Sequence, residues 1–267
     1  MLNSDGLLGL PTGNSYRDHP PTQTPNTLVA TAAWHHGGLR QVAIEDHAAV
    51  LRLLSDRRDQ LNEERRRTVN RLHTLLRDLH PGGASRRLRA GAAAALLRRI
   101  RPTTAVQTER KTIARELLVD LRRLDKALAI NRSRCAEAVA ASGTTLTEMV
   151  GVSDVLAAKI IGHTGDIRRF PSVDHYGSYT GTAPVEASSG DVRRHRLNRG
   201  GNPALNNALH LAARTQLNHH PPARMHYRRK LAETKTADEA FRSVKRQLAK
   251  VVYRHLRDDL HRPPALT

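Results

Sequence analysis

From Glu45 to Leu79 the chain holds no proline or glycine, and apolar residues recur at Val50, Leu53, Leu54, Leu61, Val69, Leu72, Leu75, Leu76 and Leu79. Those intervals predict a helix, and one of this length runs roughly 50 Å at about 1.5 Å per residue. Its other faces carry Arg52, Arg57, Arg58, Glu63, Glu64, Arg65, Arg66, Arg67 and Arg71, so the apolar stripe is narrow and needs a partner helix. His80-Pro81-Gly82-Gly83 stops this helix, a shorter one is predicted from Ser85 to Arg99, and Arg101-Pro102 breaks that. A second long helix is predicted from Val106 to Ala141, with Ile113, Leu117, Leu121, Leu124 and Leu128 along one line. Two long, narrow-striped helices around a compact insert predict an antiparallel coiled-coil hairpin over residues 41–142. Such an arm serves as spacer or homo-oligomer contact, or touches nucleic acid directly.

Ser142-Gly143-Thr144 ends the arm and, with Glu148, signals a new helix start. The run Leu146 to Gly162 then predicts a short helix, a glycine-containing hairpin at Val150-Gly151-Val152-Ser153 and a second helix. That is a helix-hairpin-helix-like element, whose backbone N–H groups are suited to a DNA phosphate, and Gly151 and Ser153 are its candidate contacts. The alternative is a plain helical turn in a core. Phe170-Pro171 leads to a short helix through Tyr176 and Tyr179. Pro203 begins another after Asn202, with Leu205, Ala208, Leu209, Ala212 and Ala213 facing inward. Helices over residues 223–233 and 237–256 follow, the last burying Phe241, Val244, Leu248, Val251, Val252 and Leu256. The reading is a mainly α chain: an irregular segment 1–40, an arm 41–142, a helical domain 143–260 and a tail 261–267.

Composition narrows the partners. Lys and Arg number 44 against 25 acidic residues, a formal charge of +19. An excess of this size points to nucleic acid. It is absent from residues 1–40, which are neutral; residues 41–140 carry +10 and residues 141–267 carry +9. Cys135 is the one cysteine, which excludes an intramolecular disulfide or a multi-cysteine zinc site and suits a reducing cytoplasm. The pairs His35-His36 and His219-His220 lack helical metal-ligand spacing, so no metal is assigned. No apolar run approaches a membrane span, and no membrane partner is expected.

The chemistry concentrates between Gly181 and Asn202, where Ser188-Ser189-Gly190 is followed by Arg193, Arg194, His195, Arg196 and Arg199 and closes on Gly200-Gly201-Asn202. Arginine forks and close-approaching glycine backbone suit a phosphodiester, and a serine beside them can act as a nucleophile toward phosphorus. The other reading is a flexible hairpin tip with a solvated basic loop.

In order along the chain, Leu39 to His47, Asn70-Arg71-Leu72-His73, Val150-Gly151-Val152, Phe170-Pro171, Tyr179 to Pro184, Ser188-Ser189-Gly190 and Arg199-Gly200-Gly201-Asn202 resemble the insertion-sequence-110/116/902 transposases over residues 38–260. Members of that family are recombinases guided by a structured bridge RNA. The resemblance implies a serine nucleophile at Ser189, with Ser188 as second candidate, attacking a DNA phosphodiester to form a 5′-phosphoserine link. It makes Arg193, Arg194, Arg196 and Arg199 the candidates for neutralising phosphate charge. DNA, a guide RNA and a second copy of the chain are the implied partners.

The resemblance also implies a ribonuclease-H-like first third whose four acidic residues hold magnesium. A domain of that kind takes about a hundred residues, and about forty precede the arm here. Thr22 and Pro25 stand where the family's last two aspartates are expected, and Asp5, Asp18, Glu45 and Asp46 do not form a converging set. The expectation is therefore an N-terminally truncated copy, or one half of a split protein. It binds nucleic acid, binds no cofactor by itself and is inactive alone, because a serine hydroxyl without metal or base is a weak nucleophile. The alternative is a non-catalytic nucleic-acid-binding protein with a coiled-coil dimerisation arm.

Overall fold

The computed structural model describes residues 46–186, 195–196 and 200–262, with backbone only at Val185, Glu186, His195 and Arg196. It is mainly helical. The elements are α1 (His47–Leu79), α2 (Ala90–Arg99), α3 (Ala105–Ala141), α4 (Asp154–Thr164), α5 (Val173–Tyr179), β1 (Val185–Glu186), β2 (His195–Arg196), α6 (Pro203–His219), α7 (Pro221–Ala232) and α8 (Ala237–Asp259). Single 3-10 turns sit at Leu146–Glu148 and Ile167–Arg169. The helix starts follow ordinary capping chemistry: Asp46, Thr104, Ser172, Asn202 and Thr236 each accept backbone N–H groups of the first turn. Thr236 and Glu239 complete a reciprocal capping box.

Helices α1 and α3, of 33 and 37 residues, run antiparallel. Arg65 Nε donates to Asp125 Oδ1 at 2.6 Å, Arg58 to the Leu128 carbonyl at 3.2 Å and Asn131 Nδ2 to the Leu54 carbonyl at 3.0 Å, so rising numbers on one helix meet falling numbers on the other. The seam is the expected one in part, with Leu54, Leu61, Leu72, Leu76, Leu121 and Leu124 buried on it. Val50, Leu53 and Ile113 are 50%, 69% and 39% exposed, whereas Ala48, Leu51, Leu54, Ser55, Leu61, Ala114, Leu118, Asn131 and Cys135 are buried. Counting only large apolar residues adds flanking positions to the stripe and misses the small and polar ones on it. Alanine, cysteine and a satisfied asparagine occupy it because they allow close backbone approach and fix the register.

Two hydrophobic clusters result. At the far end of the hairpin, α2 lies against α1 and α3 and seals Leu72, Leu76, Leu88, Ala93, Leu97, Ile100, Ala114, Leu118 and Leu121. At the near end, Leu51, Leu54, Cys135 and Val139 join Leu146, Ala157, Ile160, Tyr176, Leu205, Leu209, Val244, Leu248 and Val252 in the main core. Between them the interior narrows to Leu61 and Leu124.

Helix α4 is the junction. It packs on α1, α3 and α6, and Gly162 makes the first crossing possible: a Cβ there would fall on the backbone N and Cα of Arg52 and 2.9 Å from the Leu51 carbonyl carbon. The chain end of α8 is tied in by Asp259, whose carboxylate accepts from the Thr144 and Thr145 hydroxyls, both at 2.8 Å.

Candidate functional site

The Ser-Arg segment leaves and re-enters the described fold at one place. Helix α5 ends at Tyr179, Gly181 turns the chain at φ 69°, and β1 leads outward. Strand β2 returns antiparallel, with Val185 opposite Arg196 and Glu186 opposite His195. Gly200-Gly201-Asn202 then opens α6. Ser188, Ser189, Arg193, Arg194 and Arg199 lie outside the described residues, and Arg196 is placed by its backbone in β2 alone.

What the structure does define is the base that holds both ends. A Cβ on Gly201 would fall on the N and Cα of Gly181 and 3.1 Å from the Thr180 carbonyl carbon, so two chain segments cross with no side chain between them. Asn202 donates its backbone N–H to the Tyr179 carbonyl at 2.6 Å and its Nδ2 to the Tyr179 hydroxyl at 3.3 Å. Its Oδ1 accepts from Ala204 N and Leu205 N, which satisfies the first turn of α6 internally. Asn206, one turn on, donates Nδ2 to the carbonyls of Thr180 and Gly181, both at 3.0 Å. Its Oδ1 accepts from the buried Lys245 ammonium at 2.6 Å. Burial, with the nearby Arg242 charge, holds Lys245 below the usual lysine value.

Around this base stands an aromatic and cationic group. The Arg169 guanidinium lies 4.5 Å from the Phe170 ring centre and 4.4 Å from that of Tyr179, a stacking that arginine favours. Tyr179 donates its hydroxyl to the His163 carbonyl at 3.2 Å. Burial pushes that hydroxyl up, but hydrogen bonds from Asn202 and Arg169 and the charges of Arg169 and Arg52 outweigh it, leaving Tyr179 below its ordinary value. His163 is 6% exposed, with Nε2 3.2 Å from Asp56 Oδ1 but misaligned for a hydrogen bond. Burial first, then the Arg52 charge, hold His163 below 6.5, against the pull of Asp56. Lys159 Nζ pairs with Asp59 at 2.5 Å beside it.

The Gly151 turn sits elsewhere. Its first limb is the 3-10 turn Leu146–Glu148 rather than a helix. Gly151, at φ 88°, is pressed against α6, where a Cβ would lie 2.8 Å from the Ala212 carbonyl oxygen. Gln216 Nε2 holds the Val150 carbonyl at 2.9 Å. Ser153 precedes α4, is exposed and makes no capping bond, and Asp154 places a carboxylate in the same first turn. Ala212 follows Asn202 by ten positions on α6, about 15 Å, so the turn and the loop base are not brought together. Next to the turn lies a cavity of about 590 Å³ lined by Met149, Val150, Gln216, His226, Leu248 and His255 among others.

Tyr179, Arg169, Asn206 and Lys245 were not singled out as site residues from the sequence. The available signal was polar side chains on otherwise apolar faces: Asn206 beside Leu205, and Lys245 between Val244 and Leu248. Among the described residues no group of three or more His, Cys, Asp or Glu is placed to hold a metal ion. No described helix is long and apolar enough to cross a membrane.

Residues 143–228 match the family model described as Transposase IS116/IS110/IS902 family. That stretch contains α4, α5, both strands, α6 and most of α7. A Streptomyces coelicolor protein described as "Insertion element IS110 uncharacterized 43.6 kDa protein" is 38% identical over 114 residues, which is 42% of this chain and 28% of that relative. The chain thus spans little more than a quarter of the length of the relative it matches.

Proposed function

We propose that the chain is the DNA-handling part of an insertion-element transposase, with residues 143–260 presenting the Ser-Arg loop to a DNA strand. The observation that carries this reading is the family similarity over residues 143–228, which includes both feet of the loop and the Gly181–Gly201 crossing that closes it. Ser189 is the nucleophile, with Ser188 as second candidate. Its Oγ forms a bond to phosphorus as the P–O3′ bond breaks; the serine gives up its proton and the departing 3′ oxygen takes one up. Arg193, Arg194, Arg196 and Arg199 supply the fork donors that meet the charge growing on the phosphoryl oxygens. DNA and a structured guide RNA are its nucleic-acid partners, and the antiparallel α1–α3 arm joins it to a second copy.

A base built from Asn202, Asn206 and the glycine crossing is rigid, and rigid feet fix where a short loop can aim a nucleophile. The assay supplies the carboxylate domain of a full-length relative and magnesium in trans beside the chain. The test is a 5′-labelled duplex carrying an insertion-element end, incubated with both proteins and separated under denaturing conditions. A protein–DNA adduct that forms with the parent and vanishes with Ser189→Ala, at unchanged DNA binding, is the expected result. Equal absence of adduct from parent, Ser188→Ala and Ser189→Ala, with binding intact, would overturn the catalytic reading.

A further inference from the structure

The far end of the hairpin has an electrostatic character of its own. Residues 71–115 carry eleven Lys and Arg against Asp78 and Glu109, a net +9 out of the chain's +19. Ten of the eleven are arginine. Along the shaft the charges nearly balance, residues 45–70 and 116–141 holding 11 Lys and Arg against 10 Asp and Glu, and several arginines are paired: Arg52 with Asp56, Arg65 with Asp125, and Arg66 and Arg67 with Glu63. At the tip, Arg86, Arg87, Arg89, Arg98 and Arg99 are all exposed, and none has an ion pair among the described residues. Even the cation inside the tip is met by a neutral group, since Lys111 donates to the Ile100 carbonyl at 2.7 Å.

Like charges gathered on so small a body repel one another, and nothing in the local packing requires them. The sealed cluster beneath is made of leucine, isoleucine and alanine. We infer that the tip, α2 with the loop before it, is a second nucleic-acid-binding site that grips the phosphate backbone without reading sequence. Arginine's planar fork suits phosphate oxygens. The insert has no aromatic residue, and Leu88, Leu97 and Ile100 are buried, so it offers no wedge for a lipid surface. Leu54 in the main core and Leu76 in the tip are 22 positions apart on α1, about 33 Å. That is close to one duplex turn of roughly 34 Å. The tip reaches phosphates one turn away from those facing the C-terminal helices. The inference stands apart from the Ser189 chemistry and survives its failure.

The test is the dependence of affinity on salt for the full chain, measured with a duplex DNA and with a stem-loop RNA. The fivefold variant R86Q/R87Q/R89Q/R98Q/R99Q is compared with R193Q/R194Q/R199Q and with the parent. Each lost phosphate contact lowers the slope of log K against log salt by about 0.9. Four lost contacts shrink the affinity change between about 50 and 200 mM salt by roughly 10²-fold. That shrinkage, on DNA, on RNA or on both, is the expected result for the tip variant, and the responding polymer names the partner. A fivefold Arg→Lys variant keeps the charge and retains most of the slope. Single R86Q and R98Q variants, each lowering the slope by about 0.9, give the answer if the multiple variant melts early. A tip variant with the parent's slope on both polymers overturns the inference, and a change of sedimentation mass without a change of slope does so too, by making the tip a contact between copies.

Discussion

Replacing Gly162 with alanine separates packing from helix propensity. Gly162 lies within α4, and alanine in a helix interior is favoured over glycine by about 1 kcal/mol. Against that, the new methyl would lie within 2.6 Å of Arg52 N and Cα, atoms of the α1 backbone that have no rotamer to escape into. Relief requires α1 and α4 to part by about 1 Å, a gap that forfeits a quarter to a half of the dispersion energy of each facing atom pair. The side chains affected include Leu51 and Ile160, both fully buried. Overpacking of a close-packed interior costs about 1–3 kcal/mol, and a backbone collision belongs at the upper end, leaving a net loss of about 2 kcal/mol. For a domain of this size that lowers the melting temperature by about 4–8 °C. Gly91→Ala is the control, because Gly91 is also helical yet has nothing within 4 Å of its Cβ position. It should gain about 0.5 kcal/mol. Urea and thermal unfolding followed by far-UV circular dichroism measure both. Gly162→Ala as stable as the parent, or both variants destabilised alike, would refute the crossing argument.

Gly201→Ala should cost about 1–3 kcal/mol by the same collision, here with Gly181, and should weaken duplex DNA binding several-fold, read by fluorescence anisotropy below the melting point. Unchanged affinity would show that the loop does not depend on its base. Stability should also fall as pH drops through 6.5. Buried His163 is held below that value in the folded chain, so the unfolded chain takes up the proton first. His210 and His226 are displaced the same way. The urea midpoint should be flat above about pH 7.5 and lower at pH 5.5, with a shallower fall in His163→Gln; a midpoint that rises toward pH 5.5 contradicts the assignment.

The helix boundaries were legible because proline, glycine and capping residues punctuate the chain: His80-Pro81-Gly82-Gly83, Arg101-Pro102, Asn202-Pro203 and His220-Pro221 each stand at a helix end in the structure. The inward face of α6 was legible for a related reason, since Leu205, Ala208, Leu209, Ala212 and Ala213 form an unbroken helical stripe and all are buried. The seam of the arm was legible in part: Leu54, Leu61, Leu72, Leu76, Leu121 and Leu124 belong to the predicted stripes and are buried. Its other positions are filled by Ala114, Ser55, Asn131 and Cys135, whose small or polar side chains carry no apolar signal. The loop base was half legible. Glycines and Asn202 marked a turn, but only the fold shows Gly201 meeting Gly181, or Asn206 joining a carbonyl pair to Lys245 from another helix. The Ser-Arg loop itself lies outside the described residues.

The bare backbone crossing at Gly162 also has a mechanical consequence. It lies where a rod of about 33 Å meets the body of the chain, and a tilt of about 10° there would swing the far end by about 6 Å. On the proposed phosphate-gripping tip, that sweep would carry the contact from one phosphate to its neighbour.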